Sequence, residues 1–74
     1  MDYKERITAS ASVMLGKPVI KETRVTVKLL LRKLSEGVTI QELLEAYPHL
    51  IKDDILAALS YSADVISREE LIET

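Results

Sequence analysis

From Thr26 onward the apolar residues recur at helical spacing. Val27, Leu30, Leu31 and Leu34 fall at i, i+3, i+4 and i+7, which gives a first helix one apolar face. Thr26 suits its N-cap and Gly37 its C′ position. Lys28, Arg32 and Lys33 lie on its other side, with Arg32 and Glu36 spaced for an i, i+4 ion pair. Thr39-Ile40-Gln41-Glu42 is a capping box that starts a second helix, with Val38 and Leu43 at the hydrophobic-staple positions. Ile40, Leu43, Leu44 and Tyr47 form its apolar face, and Pro48 ends it by pushing Tyr47 out of helical space. A third helix is expected from near Asp53, with Ile55, Leu56, Leu59, Ala63 and Ile66 as its stripe and Asp53 and Asp54 matched to its positive end. Ser67-Arg68-Glu69-Glu70 is a further capping-box pattern, with Ile66 and Leu71 as its staple, so the chain either bends at Ser67 into a short last helix or continues through it.

The first 25 residues follow no such period. Val13, Val19, Ile20 and Val25 are β-branched, and Gly16-Lys17-Pro18 punctuates them. Arg6-Ile7-Thr8 and Pro18-Val19-Ile20 are the expected short strands. Two strands do not hold alone, so they must pack on the helices or pair with a second copy through an open edge. The pattern predicts one domain: a β arm (residues 1–25), a tri-helical core (26–66) and a C-terminal helical segment (67–74). The fold class is mainly α, and residues 39–66 have the layout of a helix-turn-helix.

Composition sharpens this picture in two places. At 74 residues without cysteine, the chain has neither disulfides nor thiolate metal sites to brace it. At roughly 0.05–0.15 kcal/mol per residue such a domain holds only about 4–11 kcal/mol, so association with a second copy is the expected source of further buried surface. The net charge of −2 conceals a division. Residues 1–33 carry eight basic and three acidic groups, net +5; residues 34–74 carry two basic and nine acidic, net −7. Such asymmetry points to a partner surface. No apolar run approaches the roughly 18 residues of a membrane span, and the polar N-terminus does not read as a secretion signal, so the cytoplasm is the expected location.

Candidate chemistry is sparse. His49 is the only histidine and follows a proline, the position of a solvated turn residue rather than a ligand or base. Asp53 and Asp54 are adjacent, so on a helix their side chains diverge and make a poor acid–base pair. Glu42 and Glu45 fit a solvated helix face. The two glycines are isolated, so there is no phosphate-cradling loop. An enzyme, a cofactor and a small-molecule substrate are therefore not expected. Nor does the third helix suit base reading, since its polar residues are serines, a tyrosine and carboxylates that phosphates would repel. If an anionic partner is bound, the candidate residues are Lys17, Lys21, Arg24, Lys28, Arg32 and Lys33 of the arm and first helix; a merely solvated face is the alternative.

The run Gly16-Lys17-Pro18-Val19-Ile20-Lys21-Glu22-Thr23-Arg24-Val25-Thr26-Val27, followed by Gly37, Tyr47-Pro48-His49-Leu50 and Ala57-Ala58-Leu59-Ser60-Tyr61, resembles the DUF four-three-three family, a domain of unknown function. The match spans about residues 6–63 in the right order and spacing. The resemblance implies a small homeodomain-like three-helix fold with an N-terminal β arm. It also implies an antitoxin of a toxin–antitoxin pair, with a PIN-like ribonuclease as partner and operator DNA as a second one. Such nucleases hold divalent metal in clustered carboxylates, which a basic segment could neutralise. Arg24, in the matching Thr-Arg, is then the first candidate for that contact, through bidentate pairing; the alternative is a buried donor that ties the arm to the helices. Two residues depart from the pattern. Glu22 replaces a Gly, which would strain any positive-φ turn there, and Ile51 replaces a Thr or Ser cap, which would shift capping of the third helix to Asp53. The expectation is an antitoxin-type homodimer, with a stand-alone DNA-binding regulator and a structural adaptor as the alternatives.

Overall fold

The computed structural model describes residues 2–9 and 16–70. A 3-10 turn (Tyr3–Glu5) leads into β1 (Ile7–Thr8); β2 (Val19–Ile20) follows, then α1 (Val27–Ser35), α2 (Ile40–Ala46) and α3 (Lys52–Glu70). The strands pair antiparallel, with Ile7 opposite Ile20 and Thr8 opposite Val19. Val13 and the rest of residues 10–15, and residues 71–74 of the expected C-terminal segment, lie outside the described residues.

Both residues of β2 are buried, although successive strand side chains point to opposite faces. The second cover comes from the chain itself. After β2 it turns over Lys21–Thr23 and runs back, so that Ile20 N–H donates to the Val25 carbonyl at 3.0 Å and Val27 N–H to the Pro18 carbonyl at 3.0 Å. The turn is closed by Thr23 N–H on the Ile20 carbonyl (3.1 Å), with Glu22 at φ 64°. Glu22 is thus the third residue of a type II turn, the place that favours Gly, and the strain expected there is present. Thr23 holds the turn from its side chain: its hydroxyl donates to the Ile20 carbonyl at 2.8 Å and accepts from Val25 N–H at 3.0 Å.

The helix ends follow the sequence closely. The Thr26 hydroxyl accepts from Leu29 N–H at 3.0 Å. At the other end of α1, Gly37 has φ 93°, its N–H donates to the Leu34 carbonyl, and Val38 N–H donates to the Lys33 carbonyl. That pair of bonds is a Schellman motif, which needs the left-handed residue Gly supplies. Glu36 is consequently the C-cap, past the helical residues, and the expected Arg32–Glu36 pair is not among the ion pairs of the described residues. Thr39 and Glu42 form the reciprocal capping box, at 2.9 and 3.1 Å. α2 stops at Ala46, with Tyr47 in a non-helical conformation ahead of Pro48.

α3 departs from expectation in its start and in its buried face, and of the two courses left open at Ser67 it takes the continuous one. It begins at Lys52, one residue early, and its cap comes from Asp54 rather than Asp53: the Asp54 carboxylate reaches back to accept the Ile51 N–H at 2.9 Å. It runs without a break to Glu70, and the Ser67 hydroxyl donates back to the Asp64 carbonyl within the same helix. Its buried face is also not the expected stripe. Ile55, Ala57 and Ala58 are fully buried, whereas Leu59 (39%) and Ile66 (54%) are exposed, as is Ala63. The helix is rolled toward its alanines, because small side chains let neighbouring backbone approach most closely. The core that results joins Ile7 and Ile20 of the sheet with Val25, Val27, Leu30, Leu43, Leu50 and Ile55. Burying these aliphatic side chains contributes about 1.5–3 kcal/mol each.

Candidate interaction surface

The arm is clamped to α3 at two points, and both clamps fix the surface beside them. Near the chain start, the Tyr3 hydroxyl donates to Asp64 at 2.7 Å, and its ring meets the Tyr61 ring edge-on at 5.3 Å. The hydrogen bond to the Asp64 carboxylate, helped by burial, holds the Tyr3 phenol above its usual pKa. The same bond is the main reason Asp64 sits below the usual carboxylate range, and Arg68, one turn on at 3.0 Å, adds to it. Further along, Arg6 Nη1 lies 3.2 Å from Asp54 and Nη2 3.7 Å from Asp53. The two carboxylates expected to diverge therefore converge on one guanidinium. Sequence reasoning assigned no role to Tyr3 or Arg6. Their only signal was that Tyr supplies all the aromatic rings and that Arg6 opens a predicted strand.

The six predicted basic residues are distributed unevenly. Lys17, Lys21, Arg24, Lys28 and Arg32 are exposed, and Lys33 is half-buried. Among the described residues, none of the six enters an ion pair. Arg24 is thus not the buried donor that ties the arm down; Arg6 performs that task. Lys17, Lys28 and Arg32 border one groove of about 630 Å³ between α1 and α3. Lys28 and Arg32 are one turn apart on α1, whereas Lys33 points about 100° away from Arg32. Lys21 and Arg24 flank the strained Glu22 turn and do not line the groove. The groove itself is apolar, with Val27 and Leu31 from α1 and Tyr61, Val65 and Ile66 from α3.

At the start of α3, where a DNA-reading helix would present its first residues, stand Asp53 and Asp54. Glu42 is held below its usual range by the Thr39 backbone N–H and is committed to the cap of α2. His49 is exposed in the turn between α2 and α3. No group of three or more His, Cys, Asp or Glu side chains among the described residues is arranged to hold a metal ion. No helix among them is long and apolar enough to cross a membrane.

The family model for proteins of unknown function, DUF433, matches residues 7–62, which takes in β1, the arm turn, all of α1 and α2 and the buried half of α3. The chain belongs to the DUF433 family. This DUF433 protein is also similar to a crystallised DUF433 member from Anabaena variabilis ATCC 29413. The two are 32% identical with a TM-score of 0.76, over 89% of this chain and 68% of that one. No curated protein matches this DUF433 chain. The matched span takes in the Thr23-Arg24 pair and the Gly37 turn, and family membership assigns no activity.

Proposed function

We propose that this DUF433 protein is an antitoxin-type interaction protein of the cytoplasm, without catalytic activity, that binds and neutralises a PIN-like ribonuclease. The observation that supports this reading is the grouping of Lys17, Lys28 and Arg32, exposed and outside any ion pair of the described residues, around a single groove. A cationic face of this kind matches a nuclease whose metal site is a cluster of carboxylates. Arg24, exposed on the neighbouring turn, extends the same charge. Homodimerisation belongs to the reading: β2 is paired on both sides, by β1 and by residues 25–27, and among the described residues β1 pairs with β2 alone, so its outer edge is the one a second copy would take.

Co-expression with the product of the neighbouring gene, assayed as a PIN-like ribonuclease, tests the reading. The expected result is a copurifying complex and loss of ribonuclease activity. A neighbouring gene that encodes no such nuclease, together with a failure to copurify one, overturns it.

Operator DNA is the second reading, supported by the same exposed cations and placed on the arm and α1 rather than on α3. Phosphate contacts release counterions, so binding in gel shifts must weaken steeply as salt is raised. Absence of a shift at low salt, or a shift indifferent to salt, removes this reading and leaves a partner of protein only.

A further inference from the structure

We propose that the groove between α1 and α3 is a docking site for an acidic amphipathic helix of a partner protein. The proposal rests on the reading of this chain as an interaction protein and names the element it would receive.

The walls of the groove are two helix faces. Val27, Leu31 and Ser35 recur every fourth residue along α1, and Tyr61 and Val65 do so along α3, with Ile66 beside them. Lys17 and Pro18 of the arm close one end. Residues 27 to 35 span about 12 Å of helix, room for two turns of a third helix laid against them. Two turns carry the i, i+3/i+4, i+7 anchors by which amphipathic helices fill apolar grooves. Ile66, 54% exposed, is a large aliphatic side chain that the fold leaves uncovered.

The polar groups of the groove decide the chemistry of the occupant. Three of its four hydroxyls are engaged within the helices: Thr26 accepts from Leu29 N–H, Ser35 donates to the Arg32 carbonyl at 2.7 Å, and Ser62 donates to the Ala58 carbonyl at 2.7 Å, which leaves the Tyr61 hydroxyl. What remains to address a ligand is that phenol and the cationic border of Lys17, Lys28 and Arg32. A small polar molecule would find a single phenol to orient it on an otherwise apolar floor, and a nucleic acid backbone would have to lie on that same floor. A helix with Leu-type anchors and flanking carboxylates satisfies both floor and border.

The test uses the full chain and a fluorescein-labelled synthetic peptide of about 18 residues, long enough to be helical by itself, with Leu at i, i+3, i+4 and i+7 and Glu on both flanks. Polarisation should show saturable binding, and amide NMR shifts should centre on Val27, Leu31, Tyr61, Val65 and Ile66. Binding should weaken at least about tenfold in the Lys28→Glu/Arg32→Glu double variant, whose sites are exposed and whose fold is checked by circular dichroism, and likewise in Leu31→Asp. A peptide with Lys in place of Glu should bind at least about tenfold less tightly. Equal binding of a scrambled peptide, or shifts away from the groove, overturns the proposal. So does oleate occupying the groove while the peptide does not. Self-association abolished by Leu31→Asp assigns the groove to a second copy, and peptide binding seen only after Leu71→Asp/Ile72→Asp assigns it to the chain's own end; either overturns the proposal. Copurification of the nuclease with wild type and Leu31→Asp alike keeps the antitoxin reading and overturns the groove. Groove-specific peptide binding without any nuclease partner supports the groove and overturns that reading.

Discussion

The Asp54 carboxylate serves two elements at once: one oxygen receives Arg6 Nη1 of the arm at 3.2 Å, and the other receives the Ile51 N–H that opens α3 at 2.9 Å. Asp54 is largely buried, with its side chain 11% exposed, and Arg6 is 36% exposed. A buried carboxylate that loses a charged partner pays a desolvation cost water cannot fully return. Arg6→Ala is therefore expected to lower stability by about 1–3 kcal/mol, and Asp54→Ala by more, because it also removes a cap worth about 1 kcal/mol. Urea unfolding of both single variants and the double variant measures this. The double variant should fall short of the sum of the singles; strict additivity would mean that the two side chains do not interact.

The Tyr3–Asp64 bond predicts how stability changes with pH. Asp64 is held below the usual carboxylate range, so its contribution is present above the unfolded aspartate pKa and is lost as pH falls through the lower folded value. Tyr3 is held above its usual value, so its contribution is present below about pH 10 and is lost as pH rises through the raised folded value. Tyr3→Phe keeps the ring against Tyr61 and removes the bond. Its melting temperature should fall at neutral pH, and its alkaline decline should be flatter than that of wild type. Superimposable pH profiles would contradict the assignment.

Glu22 is the one non-glycine residue with positive φ among the described residues. Left-handed geometry costs an L-residue about 1–2 kcal/mol, and Gly loses about 0.5–1 kcal/mol of backbone entropy on folding. Glu22→Gly should therefore stabilise by about 0.5–1 kcal/mol, seen as a higher urea midpoint at unchanged slope. A lower midpoint would show that the Glu side chain contributes something the turn geometry does not reveal.

Arg24 is exposed and enters no ion pair among the described residues, so Arg24→Ala should change stability by less than about 0.5 kcal/mol. On the antitoxin reading it should weaken the complex with the nuclease. An unfolded Arg24→Ala variant would restore the role of structural anchor to Arg24 and remove it from Arg6.

The local features of this chain are written in local chemistry. The Thr26 cap, the Gly37 Schellman turn, the Thr39–Glu42 box and the Pro48 stop each depend on residues within six positions of one another, and each is where the sequence placed it. The Glu22 strain was legible only through the family resemblance, whose pattern has a Gly at that place. The family motif, which spans most of the chain, carried the three-helix fold with its β arm.

What tertiary structure alone decided are the relationships between distant residues. The face of α3 that is buried could not be read from its period, since Leu59, Ala63 and Ile66 continue the regular stripe from Ile55 yet are exposed, while Ala57 and Ala58 beside it are buried. The alanine side won because it admits the arm and α1 at close range. The partners of Tyr3 and Arg6 lie 61 and 48 residues away, and no local rule pairs residues at that separation. The basic residues were visible as a list, but their division was not: packing α1 against α3 drew Lys17, Lys28 and Arg32 to one groove and left Lys21, Arg24 and Lys33 off it. Sequence determines caps, turns and charge because these act within a turn or two of the chain; only packing determines which charges share a surface.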